Sequence, residues 1–220
     1  MRSLGRYTRR EMTSLGDAFA WPFSDREWFP KMILQGLIAI IPIVGHIALL
    51  GWLLITIDNY RAGRRELAPA GFHLERGIAL WAVLLVYVIV LFIPGGIING
   101  IGAASDNGRG LAVIGGLLYL AALILLVFLI PAIFLNTYRA GFSGGFDVAG
   151  IWQLATTNPT PTALAAVMIL VANLISGLGV IVCCVGLLFT VPYAAAIVAG
   201  VVTWYERELA GPAPAHTATA

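Results

Sequence analysis

Residues 32–57 read MILQGLIAIIPIVGHIALLGWLLITI and contain no Asp, Glu, Lys or Arg. How this stretch is read decides where every later loop lies. A helix crosses a hydrocarbon core about 30 Å thick with about 20 apolar residues, so the length admits one crossing. At its centre stands Pro42-Ile43-Val44-Gly45, where a chain can turn back. Three more stretches are free of charge: 77–105, 110–138 and 148–205. A backbone inside a bilayer must satisfy its own N–H and C=O groups, and these lengths suit helices. The first two hold one helix each, 77–101 and 111–135, joined through a turn at Asp106-Asn107-Gly108. The last is too long for one crossing, and Gly177, Gly179 and Gly186 divide it into 163–182 and 186–205.

The cations choose between the readings. A single helix in 32–57 makes five crossings. Arg2, Arg6, Arg9, Arg10, Arg26, Lys31 and Arg109 then lie on one side, and Arg61, Arg64, Arg65, Arg76, Arg139 and Arg207 on the other. A reversal near Pro42 leaves Arg109 alone on its side. Lys and Arg gather in cytoplasmic loops, so the reversal is the better reading. The expected fold is therefore all-α: an integral membrane helical bundle with both termini in the cytoplasm. Its six helical segments are 28–43, 46–60, 77–101, 111–135, 163–182 and 186–205. The first two span only about 22–24 Å each at 1.5 Å per residue. They form a short hairpin, a re-entrant pair, or a place where the bilayer thins.

Composition agrees: 60% of residues are hydrophobic and 11% charged, against about 25% charged in a soluble domain. The polytopic domain, 28–205, leaves no room for a separate soluble catalytic unit. A scattered net charge of +2 does not suit nucleic acid. The polar, mixed-charge start lacks the apolar run of a cleaved signal peptide. Residues 1–27 combine arginines with Phe19, Trp21 and Phe23, and read as an amphipathic segment lying on the cytoplasmic surface against anionic lipid. The loop 142–160, with Phe142, Phe146, Ile151 and Trp152, is a second interfacial candidate. The tail 206–220 ends in an Ala-, Pro- and Thr-rich run and reads as disordered.

Asn59-Tyr60-Arg61-Ala62-Gly63 has an echo in Thr137-Tyr138-Arg139-Ala140-Gly141. Each reads as a helix exit, with Tyr at the headgroup level, Arg toward water and Gly ending the helix. An internal duplication and the common chemistry of helix ends both explain the echo. Trp21, Trp28, Tyr60, Arg61, Tyr138 and Arg139 are the expected interfacial anchors, and Pro42 and Gly45 the structural turn.

Chemistry is sparse. Gly141-Phe142-Ser143-Gly144-Gly145 fits a hydrolase elbow and a rhomboid-type serine motif, but the first needs an α/β sheet and the second a base beside the serine. His46 lies beside the Pro42 turn, so Ser143 reads as part of a flexible Gly-Ser loop. Cys183 and Cys184 are adjacent in an apolar run and lack metal-ligand spacing. No metal or cofactor is expected. Gln35, His46, Asn99 and Asn173 are the candidate polar intramembrane positions. They serve either as interhelical glue or as the lining of a pathway. Gly96-Ile97-Ile98-Asn99-Gly100 is a G-x-x-x-G match that mediates self-association or packs helices within one chain; 25 glycines favour the second.

A resemblance joins these features. Asp25, Trp28, Lys31, Gly36, Pro42-Ile43-Val44-Gly45, Gly51-Trp52 and Arg61 resemble the opening of domain-of-unknown-function family 4013. That family comprises polytopic membrane proteins of bacteria and archaea. Gly77, Tyr87 and Pro94, then Tyr138, Phe142, Phe146 and Asn158, continue the likeness, which spans roughly 25–205. Trp52 stands where the family prefers Tyr, and Arg76 where an acid is common. The resemblance implies a two-helix opening and a prokaryotic cytoplasmic membrane, and supplies no catalytic residue, substrate or cofactor. The expected function is a non-enzymatic scaffold or interaction protein that meets lipids and other membrane proteins. The alternative is a transporter or channel for a small neutral or amphipathic solute.

Overall fold

The computed structural model describes residues 16–105, 108–181 and 185–210. Among them there is no strand. A short helix α1 (Asp17–Ala20) and a 3-10 turn (Trp21–Ser24) lead into α2 (Trp28–Ala39) and α3 (Val44–Arg61). Then follow α4 (Leu74–Ala104), α5 (Arg109–Gly145), α6 (Val148–Thr157), α7 (Pro159–Leu178) and α8 (Val185–Ala210). Four of these, α4, α5, α7 and α8, are long and apolar enough to cross a membrane.

The stretch 32–57 is broken. After Ala39 the chain reaches a γ-turn in which the Val44 N–H donates to the Pro42 carbonyl at 2.7 Å. Its central residue, Ile43, has φ 64° and ψ −62°, a strained geometry for a β-branched side chain. Proline fixes the entry to this turn, and Gly45 permits the exit: a Cβ there would overlap the Ile38 carbonyl and the Ala39 backbone. At 1.5 Å per residue α2 is about 18 Å long and α3 about 27 Å. The first falls well short of a hydrocarbon core, and its helix ends four residues before the expected 43. Ile40, Ile41, Ile43 and Val44 at the tip are exposed.

Close backbone approaches hold the bundle together. A Cβ on Gly36 would overlap the Leu188 carbonyl of α8, and one on Gly77 would overlap the Ile47 carbonyl of α3. Gly51 meets the His73 carbonyl in the same way. Small residues at helix crossings let dispersion and main-chain dipoles act at short range, which matters where no hydrophobic drive separates helix from lipid. The central element is α8, which packs against α1, α2, α3, α5 and α7. Ala194, Ala195, Ala196, Ala199 and Gly200 make its middle slim enough to be enclosed.

Several expected boundaries move. α4 extends the predicted 77–101 at both ends, and α5 runs past 135 to the reversal at Gly141 (φ 67°). Residues 142–160 are not a loop: a helical turn follows Gly141, and Asp147 caps α6 by accepting from the Gly150 N–H at 2.9 Å. α7 begins at Pro159, four residues early, because proline is tolerated in a helix's first turn. α8 continues through 206–210, so that part of the tail is helical. Residues 16–27 do not lie apart from the bundle. Trp21 is only 3% exposed and its indole N–H donates to the Ala196 carbonyl at 3.2 Å, making it a core residue rather than a headgroup anchor. The expectations for 1–15, the Asp106-Asn107 turn, Cys183-Cys184 and 211–220 lie outside the described residues.

Candidate functional site

The two echoed segments end their helices alike. Gly63 and Gly141 both take left-handed backbone angles (φ 77° and 67°), and each stands two residues after an arginine. Those arginines, Arg61 at the end of α3 and Arg139 near the end of α5, converge on Glu206 of α8. Arg139 Nη2 lies 2.9 Å from the carboxylate, and the Arg61 guanidinium contacts its other oxygen. Arg61 also stacks over the Tyr138 ring, 4.2 Å from its centroid. Beside this lies a second carboxylate, Asp58, which accepts from the Tyr138 hydroxyl and pairs with Arg76 of α4. Arg207 covers the Tyr60 ring at 5.6 Å. Four helices thus meet in one charged patch. Tyr60, expected at a headgroup, is 5% exposed and lies edge-on to Trp21 with centroids 5.2 Å apart. That contact sets the described amino-terminal residues at the same end of the bundle as Arg61.

A second polar cluster holds the connection between α3 and α4. Leu67 and Ala68 are fully buried there, so their backbone groups need partners. The Asp25 carboxylate accepts from the Leu67 N–H at 2.8 Å, from Lys31 Nζ at 2.8 Å and from the Glu27 N–H at 2.8 Å. Lys31 also donates to the Leu67 carbonyl at 3.2 Å. The Trp52 indole N–H donates to the Ala68 carbonyl at 2.8 Å, and Thr56 accepts from the Ala68 N–H at 3.1 Å. Gln35 Oε1 accepts from the Gly71 N–H at 3.0 Å. Burial pushes the Asp25 carboxyl up, but Lys31 and the Glu27 and Leu67 N–H groups favour its charged form and bring it below its ordinary value.

The family of proteins of unknown function DUF4013 matches residues 34–185, more than half of the chain. The chain belongs to the DUF4013 family. No curated protein and no solved structure matches it. The DUF4013 match begins after Asp25, Trp28 and Lys31 and ends at the first residue of α8. Within it, Gly36, Gly45, Gly51 and Gly77 of the sequence resemblance are the residues of the turn and the helix crossings. Trp52 of this DUF4013 chain uses its indole N–H on the loop.

The four polar positions singled out in the sequence do not come together. Gln35 is fully buried at the loop, with Nε2 lacking a partner. His46 is exposed in the first turn of α3. Asn99 Nδ2 donates to the Ala112 carbonyl at 3.1 Å and ties α4 to α5, while Asn173 donates to Ile169 within its own helix at 2.8 Å. Thr190 bridges α8 to the Ser176 carbonyl of α7 at 3.1 Å. Ser143 donates to the Ala140 carbonyl at 3.1 Å inside a helical turn rather than a flexible loop. The favoured reading of Gly96 and Gly100 as intrachain packing is corrected: a Cβ at either would meet nothing within 4 Å. Gly95, Gly102 and Gly115 make the α4–α5 contact instead. Gly96 lies at a shallow apolar hollow of about 430 Å³, lined by Val88, Ile89, Phe92, Ile93 and Ile97. Among the described residues no group of three His, Cys, Asp or Glu is placed to hold a metal.

Trp28 joins an aromatic cluster with Phe23, Phe29 and Phe189, at centroid distances of 5.0–5.8 Å. Sequence reading set Arg61, Tyr138 and Arg139 apart as separate anchors and missed what joins them. The signal was present: Asp58 and Glu206 are the charges that close two of the apolar stretches.

Proposed function

We propose that this DUF4013 chain is a non-enzymatic, multi-pass protein of the prokaryotic cytoplasmic membrane that works as a scaffold. It meets lipids and other membrane proteins, including a second copy, through the open face of α4. The observation that carries the reading is at Gly96 and Gly100, where two glycines four residues apart border open space. Glycine at that spacing lets a second helix approach closely. The polar side chains Asn99, Asn173 and Thr190 are engaged by nearby carbonyls rather than lining one shared space. Lipid contact follows from the exposed apolar rows of α4 and α5, such as Val90, Ile93 and Ile97, and Leu117, Leu120 and Ile124.

The test is oxidative cross-linking in native membranes with Ile97→Cys as the reporter, in a chain carrying Cys183→Ala and Cys184→Ala. A band of doubled mass is expected. Adding Gly96→Leu and Gly100→Leu removes it without lowering thermal stability, because both side chains enter open space. A monomer band alone before those changes contradicts self-association. A second reading, a carrier for a small neutral or amphipathic solute, is favoured by one observation: the orphaned Gln35 Nε2 in a broken-helix region. Solute flux in proteoliposomes that falls with Gln35→Leu and survives Gly96→Leu would replace the scaffold reading with this one.

A further inference from the structure

We propose that Glu206 is a charge latch that fastens the end of α8 to the two Tyr-Arg-Ala-Gly helix exits, and that the latch opens when its charge pairing is weakened. Both arginines of the echo reach the same carboxylate, one from each side of it. Neither pair is deeply buried: the side chains of Glu206, Arg61 and Arg139 are 22%, 32% and 43% exposed. Ion pairs at that exposure are held by Coulomb attraction that mobile ions can screen. Two arginines without the acid between them repel each other across the same gap.

The backbone next to each arm can give way. Gly63 and Gly141 stand two residues beyond Arg61 and Arg139 in left-handed geometry, and a Cβ at either would meet nothing within 4 Å. Neither glycine is wedged by a neighbour. The elements around the carboxylate supply Asp58 and Arg61 from α3, Arg76 from α4, and Tyr138 and Arg139 from α5. Arg207 follows Glu206 on α8, and Arg65 of the α3–α4 connection lies by Tyr60. The Asp58 bridge to Arg76 and Tyr138 joins α3 to α4 and α5 but makes no contact with Glu206. The α8 end is therefore the part released when Glu206 lets go. Closed, the latch fixes α3, and with it the α2–α3 hairpin, to the central helix. Open, it frees the end of α8 to move away from the ends of α3 and α5, which the Asp58–Tyr138 contact still joins.

The experiment places spin labels at the exposed Ala62, after α3, and Ala210, at the end of α8, of the full chain in lipid nanodiscs, in a chain carrying Cys183→Ala and Cys184→Ala, and reads their distance distribution. The otherwise unaltered chain gives one narrow peak. Glu206→Gln broadens it and moves it to longer distance, whereas Glu208→Gln, the exposed acid two residues on, leaves it unchanged. Raising ionic strength to about 1 M, where screening acts over about 3 Å, broadens the peak of the chain with Glu206 and leaves the Glu206→Gln distribution as it was. Should Glu206→Gln fail to fold, the salt series on the chain with Glu206 still decides. A narrow peak that neither Glu206→Gln nor salt alters overturns the latch, as does equal broadening by Glu208→Gln.

Discussion

Asp25→Ala is expected to destabilise the protein by about 3–5 kcal/mol, the range for removing one partner of a buried ion pair. The change takes from Lys31, whose side chain is 16% exposed, its closest carboxylate, and leaves the Leu67 N–H without its acceptor. Leu67 and Ala68 are fully buried, so the connection between α3 and α4 then has unsatisfied backbone in an enclosed place. Asp25→Asn keeps the shape and loses the charge, and its effect is smaller. Thermal unfolding in mild detergent measures both. The pH dependence follows from the direction of the shift. The folded carboxyl titrates below its ordinary value of about 3.9, so its contribution is complete above that pH and is lost as pH falls through the lower, folded value. Asp25→Asn removes that part of the acid sensitivity. Unchanged stability in Asp25→Ala would mean that the cluster does not hold the loop.

Gly77→Val carries the second large effect. A side chain at Gly77 runs into the Ile47 carbonyl and the Gly51 backbone, neither of which is a flexible end that can swing aside. Overpacking typically costs about 1–3 kcal/mol, and a clash with backbone falls at or above the top of that range. Gly36→Val does the same to the α2–α8 crossing through Leu188. Gly116→Ala is the contrast. Its nearest neighbour is Asn99 Nδ2 at 3.8 Å, so the methyl fits and the helix gains about 0.5–1 kcal/mol from the loss of glycine's freedom. Melting midpoints that fall for Gly77→Val and Gly36→Val and rise for Gly116→Ala confirm the crossings. Equal midpoints would place those backbones further apart than described.

Much of this architecture was written in charge spacing. The long apolar runs fixed the helical class, because a bilayer admits few other backbones. The imbalance of arginines selected a reversal at Pro42, and the chain does break there. Glycine patterns alone did not separate Gly95 from Gly96. Both lie in one helix, yet one faces α5 and the other open space, and only the direction of the neighbouring helix settles which. Residues 142–160 read as a loop, whereas Asn136 Nδ2, donating to the Gly144 carbonyl at 2.9 Å, folds the chain after Gly141 back as a helical turn, and Asp147 caps the helix that follows. Trp21 was mistaken for an anchor because aromatic residues beside arginines look the same whether they meet headgroups or a slim helix such as α8. The Glu206 bridge joins residues 67 and 145 positions apart: the sequence marks Glu206 as the charge that closes an apolar stretch, but only the packing of α8 against α3 and α5 shows which arginines it meets.

Maleimide accessibility in intact cells tests the topology most directly. The chain carries Cys183→Ala, Cys184→Ala and a single cysteine at Ser24, Arg64 or Arg109. If the polypeptide doubles back at Pro42, a membrane-impermeant reagent labels position 109 alone, and positions 24 and 64 react only after the membrane is opened. Labelling that puts 24 and 64 on opposite faces would mean that residues 28–60 cross the bilayer once, and the hairpin and the packing of Trp21 against Tyr60 would fall with it.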